Sequence, residues 1–177
     1  KSLAVAGGWL YAVEGSRGSA TGGRLIRINI DPLSSEYLNE MQTVQLGVEA
    51  PFGFQDMAIN NGSYLALTAP RGVDVFWGFN TQTPAGNVYV IDLAKIDQYG
   101  KVGASAIATI GASKFSDRRG QFPAYVSAGN NDGEFVVSAS NSRNAGFVGI
   151  TVGLDDNGNL DGSAAVRSTT LTPRESN

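Results

Sequence analysis

The sequence predicts an all-β fold built from antiparallel four-stranded meanders. Three observations favour it: few charged residues, many glycines, and a strand-and-turn pattern that recurs three times. Charged residues make up 16% of the 177-residue chain, and glycine contributes 23 residues. Such a composition is typical of a turn-rich β protein, because helical proteins carry more charge and less glycine.

The first two strands of each repeat form a hairpin. Residues 3–17, 57–71 and 125–143 each read as a strand, a tight turn, a second strand that opens on an aromatic residue, and a later Arg. The turns fall on residues that tolerate positive φ. They are Gly7-Gly8, Asn61-Gly62 and Asn131-Asp132-Gly133, and the aromatic residues are Trp9, Tyr64 and Phe135.

A third and a fourth strand complete each repeat. Third strands begin at or just after Gly23, Gly86 and Gly146, and more polar strands follow as "MQTVQL", "SAIATI" and "GSAAVRSTTL". These boundaries divide a single domain, 1–177, into units at about 1–46, 51–110 and 121–171. Helix signals are weak and lie between third and fourth strands, in "LSSEYLNEMQ" and "LAKIDQYG".

Consecutive four-stranded units predict about three blades of a β-propeller, and a β-sandwich is the alternative. The middle unit resembles the YVTN repeats of surface-layer or lactonase-like β-propellers through Gly47, Pro51, Gly62 and the triplet Ile91-Asp92-Leu93. Three blades do not close a ring. We therefore expect an incomplete ring, either part of a larger propeller or a unit completed by association.

The residues absent from the chain limit its chemistry. It has no Cys and no His, which removes disulfides, thiol catalysis and a Ser-His-Asp triad contained in this chain. The net charge is −3 without a block of like charge, which argues against nucleic acid and an anionic membrane as partners. We expect no cofactor.

The candidate partner-binding residues lie in loops that a propeller would gather on one face. Arg offers a fixed fork for anionic groups, and aromatic rings offer a stacking surface. The candidates are Arg71, Phe76, Trp77, Phe79, Arg118 and Arg119. A structural interpretation stays open, in which the repeated Arg residues hold their loops in place and the insert around Trp77 packs on its own blade or on another domain.

A calcium site is a further candidate, in "LDDNGNLDG". Asp155, Asn157, Asn159 and Asp161 alternate along this segment as oxygen ligands do in calcium loops. A hairpin turn over Asn157-Gly158 explains the same residues, so the primary expectation is that there is no metal site.

The sequence thus favours a non-catalytic binding or scaffold module. It would form part of a secreted or cell-surface bacterial protein, extracellular or periplasmic, that contacts a protein or glycan partner and the remaining blades or domains of the same protein. The alternatives are a fragment of a lactonase-like propeller hydrolase and a purely structural spacer.

Overall fold

Three separate four-stranded antiparallel sheets make up the described fold. The computed structural model describes residues 2–14, 24–48, 53–71, 85–111, 122–140 and 145–171. Sheet 1 contains β1 (Leu3–Ala6), β2 (Trp9–Glu14), β3 (Arg24–Asn29) and β4 (Met41–Val44). Sheet 2 contains β5 (Asp56–Asn60), β6 (Tyr64–Arg71), β7 (Ala85–Asp92) and β8 (Ile107–Ile110). Sheet 3 contains β9 (Phe122–Ala128), β10 (Glu134–Ser140), β11 (Ala145–Leu154) and β12 (Leu160–Leu171).

Strand order follows chain order within each sheet, as expected of meanders. The first hairpin turns through Gly7 and Gly8, with φ values of 55° and 77°. The second turns through Asn61 and Gly62, with φ values of 47° and 72°. These left-handed conformations suit Gly and Asn, which explains why the turn residues predicted the hairpins.

The helical segments in the described part of the chain are two short 3₁₀ turns. They span Leu93–Lys95 and Ala104–Ala106. The Asp92 carboxylate caps the first by accepting a hydrogen bond from the backbone N–H of Ala94. The weak helix signal at 33–42 yields turns, in which Leu38 adopts a φ of 59° that a right-handed helix does not accept.

Sheet 2 lies between the other two sheets and packs on both. Because side chains alternate along a strand, each strand of sheet 2 supplies one face to each neighbour. Leu65, Leu67 and Ile91 join the core shared with sheet 1. Ala66 and Val90 join the core shared with sheet 3. A strand buried on both faces reads as a nearly continuous apolar run, as in "YLALTA".

The pairing registers define equivalent positions in the three sheets. Leu10 pairs with Ile28, Leu65 with Ile91, and Phe135 with Ile150. Leu10, Leu65 and Phe135 are therefore equivalent positions on the second strands. By the same registers Leu3, Met57 and Val126 are equivalent on the first strands.

This register corrects one assignment made from sequence. Phe135 is predicted to be equivalent to the opening aromatics Trp9 and Tyr64, but Glu134 occupies that position and pairs with Thr151. The hairpin loop at 129–133 is longer than the turns of sheets 1 and 2, so the alignment shifts by one residue. A one-residue shift reverses the face of a strand, and Phe135 points into the core between sheets 2 and 3.

The two internal interfaces bring equivalent residues of the first strands into contact, through different hydrogen bonds. The Ser2 hydroxyl donates to the carbonyl oxygen of Met57 at 3.1 Å, and the backbone N–H of Val126 donates to the Asp56 carboxylate at 3.0 Å. Ser2 and Asp56 are equivalent, as are Met57 and Val126. The first strands of neighbouring sheets therefore lie side by side at both interfaces.

Candidate functional site

One edge of the stack holds the strand ends that border the predicted binding loops, and we call it the loop edge. The opposite edge is shared by all three sheets, since Gln42 Nε2 of sheet 1 donates to the Gln98 carbonyl and Lys95 Nζ of sheet 2 donates to the Gly158 carbonyl. The connections from second to third strands must then leave from the other side. The strands bordering them end or begin there at Glu14, Arg24, Arg71, Ala85, Ser140 and Ala145.

The structure places one predicted binding residue at this edge. Arg71 is the last residue of β6, and its backbone pairs with Ala85 at the start of β7. The other predicted binding residues, Phe76, Trp77, Phe79, Arg118 and Arg119, lie outside the described residues. The structure therefore positions the strands that carry the middle loop, and the binding role of all six side chains stays a prediction.

A buried arginine links sheet 1 to sheet 2, and sequence analysis missed it. Arg27 is 4% exposed, and its guanidinium carbon lies 4.2 Å from the centroid of the Trp9 ring. Nε donates to Gln42 Oε1 at 2.8 Å, and Nη2 donates to the Asp97 carbonyl at 2.7 Å. Burial raises the pKa of the neighbouring Tyr11 above its usual value, against a smaller opposing effect of the Arg27 hydrogen bond and charge. The cluster holds the 93–106 connection of sheet 2 against sheet 1.

The signal for Arg27 was the alternation in "RLIRIN". Leu25, Arg27 and Asn29 alternate with half-buried positions, so they share the core-facing side of β3. A single Arg at a core-facing position indicates a buried cation that needs nearby acceptors. The hydrogen-bond acceptors of Arg27 lie elsewhere in the fold, and no local sequence motif predicts them.

A buried asparagine links sheet 2 to sheet 3. Asn60 is 1% exposed, and its Nδ2 donates to the carbonyls of Gly129, Asn131 and Glu134 at 3.0 to 3.1 Å. Its Oδ1 accepts from the backbone N–H of Gly133 at 2.9 Å. One side chain thereby bonds to three backbone groups of the 129–133 loop and to the carbonyl of Glu134, which positions the start of β10.

The predicted calcium segment forms the hairpin turn between β11 and β12. The Asp155 carboxylate accepts hydrogen bonds from the N–H of Asn157 and from both the backbone and the side chain of Asn159. These bonds, the one from the Asn159 backbone foremost, lower the pKa of Asp155. Lys95 Nζ lies 3.3 Å from Asn159 Oδ1 and 2.7 Å from the Gly158 carbonyl. The Lys95 ammonium group thus lies beside oxygen atoms of the turn. The expectation of no metal site, with calcium as the weaker alternative, stays a prediction.

Sheet 1 exposes an apolar face on the side away from sheet 2. This outer face of sheet 1 carries Leu3, Val5, Leu10, Ala12, Ile26, Ile28 and Met41. Leu3, Val5 and Met41 are 69%, 60% and 69% exposed. An exposed apolar surface of this kind generally marks an interaction site.

Sheet 3 exposes its side away from sheet 2. Pairing of Val136 with Ser127 and Gly149, and of Ser138 with Tyr125 and Phe147, places these residues on one side, which we call the outer face of sheet 3. Tyr125, Val136 and Phe147 are exposed there. Gly149 has no side chain, and a shallow groove of about 400 Å³ passes over it, bordered by Val136, Glu134 and Thr151.

Clusters that could hold a metal are absent from the described ranges, where no three His, Cys, Asp or Glu side chains come together. In the same part of the chain, no helix has the length and apolar character needed to cross a bilayer.

Comparison of the chain with protein-family models, with curated proteins and with solved structures found no match. The resemblance to YVTN-type repeats therefore stays a prediction.

Proposed function

We propose that the chain is a non-catalytic scaffold and binding module, a segment of a β-propeller in which each described sheet is one blade. The observation that carries the proposal is the repeated interface. Ser2 meets the backbone of Met57 as Asp56 meets the backbone of Val126, so both sheet pairs stack with their first strands adjacent. Consecutive meanders that pack with the same rotation generate a ring around the first strands.

The exposed faces at the two ends of the stack support the same proposal. Three blades leave a ring open, and the blades that complete it would cover both ends. The apolar outer face of sheet 1 is the surface that such a blade would need. A complete three-sheet protein would instead be expected to place polar residues there.

The loop edge is the proposed partner-binding surface, with a glycan as the favoured ligand. The aromatic side chains predicted there offer stacking faces, and the Arg side chains offer hydrogen-bond donors for hydroxyls or carboxylates of a sugar. The low charge of the chain, −3 overall, does not favour a strongly ionic partner. A secreted or cell-surface location for the protein is part of this proposal.

Binding of the purified chain to a glycan array tests the proposed ligand class. We expect selective retention of a related set of glycans, and a loss of at least about tenfold when Trp77→Ala and Arg118→Ala are combined, since an aromatic and a charged contact together contribute more than 1.4 kcal/mol. The matched control combines Tyr99→Ala with Lys101→Ala, which removes one exposed aromatic and one cation at the opposite edge. Absence of glycan binding, or an equal loss in the control, would contradict the proposal.

A further inference from the structure

The two exposed ends of the stack are complementary, and we infer that a second copy of this chain packs the outer face of its sheet 3 on the outer face of sheet 1. The inference deepens the proposed function, on which it rests, by naming the source of the next blade. The resulting contact is head to tail, because each copy offers one face of each kind.

The outer face of sheet 1 is equivalent to the face of sheet 2 that is buried against sheet 1. Its positions Leu3, Leu10 and Ile28 are equivalent to Met57, Leu65 and Ile91 of sheet 2. Those three sheet 2 residues are buried against sheet 1. Residue types at these positions are apolar in both sheets, while only sheet 2 has a neighbour to cover them. The outer face of sheet 1 therefore has the apolar residues needed to pack against another sheet.

The outer face of sheet 3 is likewise equivalent to the faces that receive the next sheet. Phe147 is equivalent to Leu25 of sheet 1 and Val88 of sheet 2, since all three pair with equivalent residues of the second strands. Leu25 and Val88 are fully buried, whereas Phe147 is 47% exposed. A large aromatic at this position needs the cover that the next sheet gives in the two internal interfaces.

A second copy fits both ends better than an unrelated partner does. The outer faces of sheet 1 and sheet 3 are equivalent to the two kinds of face that meet inside the stack. A second copy of the chain therefore brings both faces, which an unrelated partner need not have. An isologous dimer would pair two like faces, which neither internal interface does. A heterologous contact continues the stack and closes into a ring when the rotation allows it.

The repeated contact between first strands predicts which residues meet. Ser2 and Asp56 touch the backbones of Met57 and Val126, respectively. The next residues in this series are Tyr125 of one copy and Leu3 of the other, because Tyr125 is equivalent to Asp56 and Leu3 to Met57. Both side chains are exposed, at 63% and 69%.

Thiol cross-linking between two single-cysteine variants tests this contact. The chain has no native Cys, so Leu3→Cys and Tyr125→Cys each introduce a single thiol. We expect the mixed variants to form a disulfide-linked heterodimer on mild oxidation, since a disulfide requires Cβ atoms about 4 Å apart. Leu3→Cys alone is expected to form far less homodimer, and Leu33→Cys mixed with Tyr125→Cys serves as the collision control because Leu33 is 94% exposed on the β3–β4 connection.

A charged residue introduced on the outer face of sheet 1 provides a second test of the head-to-tail contact. Val5→Glu, introduced with Leu3→Cys, is expected to abolish the heterodimer and to reduce the mass measured by light scattering to that of one chain. Circular dichroism and the unfolding midpoint should change little, since Val5 is exposed in the single chain. Equal cross-linking in the Leu33 control, preferred Leu3-to-Leu3 linkage, or a heterodimer unaffected by Val5→Glu would overturn the inference. A single-chain protein that still binds glycans would reject the head-to-tail contact alone, and association without glycan binding would reject only the binding function.

Discussion

Asn60→Ala is expected to destabilise the chain by about 3 kcal/mol, because a buried backbone group left without a partner costs about 1–3 kcal/mol, and the Gly129 carbonyl and the Gly133 N–H both lose their bond to Asn60. The side chain is almost fully buried and serves three carbonyls and the Gly133 N–H. Alanine replaces none of these bonds and is too small to fill the space. Denaturant unfolding measures the loss, and amide exchange at Gly133 reports it locally.

Two further variants separate the hydrogen bonds from side-chain volume. Asn60→Asp keeps the shape but turns a carboxylate oxygen towards carbonyls, so we expect a loss at least as large as for Asn60→Ala. Asn157→Ala removes an exposed amide in the β11–β12 turn and should cost less than about 0.5 kcal/mol. A loss below about 1 kcal/mol for Asn60→Ala, with unchanged exchange at Gly133, would show that Asn60 does not hold the 129–133 loop.

Arg27→Ala is expected to cost a similar amount, about 3 kcal/mol, through two charge-assisted hydrogen bonds and a cation–π contact. The guanidinium contacts Gln42, Asp97 and Trp9 together. Its loss leaves the Asp97 carbonyl without this donor and uncovers one side of the indole ring. The free energy of unfolding is the measurement.

The matched control for Arg27 is Arg24→Ala on the same strand. Arg24 lies on the exposed side of β3, where an interaction of its guanidinium contributes at most about 1 kcal/mol, so its truncation should cost clearly less than that of Arg27. Arg27→Lys should fall between the two, because an ammonium keeps the charge but not the planar fork that reaches two acceptors. Equal losses for Arg24→Ala and Arg27→Ala would mean that burial of the guanidinium does not matter.

The strands were predictable because their signals are local. Gly7-Gly8 and Asn61-Gly62 fix tight turns through positive φ, and the flanking residues alternate or run apolar as strands do. The sequence therefore predicts the three antiparallel meanders. The first residue of β10 was predicted wrongly as Phe135, because the longer loop at 129–133 hides where that strand begins and Phe135 is the more conspicuous residue there.

The contacts between sheets were not predictable in the same way. Asn60 and Arg27 stand in strands, and each bonds to a neighbouring sheet about 70 residues away along the chain. Their local sequence does not show which groups of the neighbouring sheet they contact. Sequence reasoning gave weight to the loop residues Arg71 and Arg118, whereas the described arginine with an interfacial role is Arg27.

The exposed outer face of sheet 1 could be predicted from the sequence only in part. "LAVA" and "LIRINI" place apolar residues on both faces of sheet 1, a pattern that indicates burial on both sides. Sequence analysis uses that pattern to assign strands but does not identify which face lacks a neighbour. Only the stacking order shows that Leu3 and Leu10 face away from sheet 2.

Intrachain disulfide formation directly tests the order in which the three sheets stack. The double variants Ser2→Cys with Met57→Cys and Asp56→Cys with Val126→Cys each join the first strands of two neighbouring sheets. The two pairs occupy corresponding places in the two interfaces. Both should form an intrachain disulfide under mild oxidation, read by mass spectrometry of non-reduced peptides. Ser2→Cys with Val126→Cys should not, because sheet 2 separates those strands. Efficient linkage of that last pair, or failure of both neighbouring pairs, would contradict the stack.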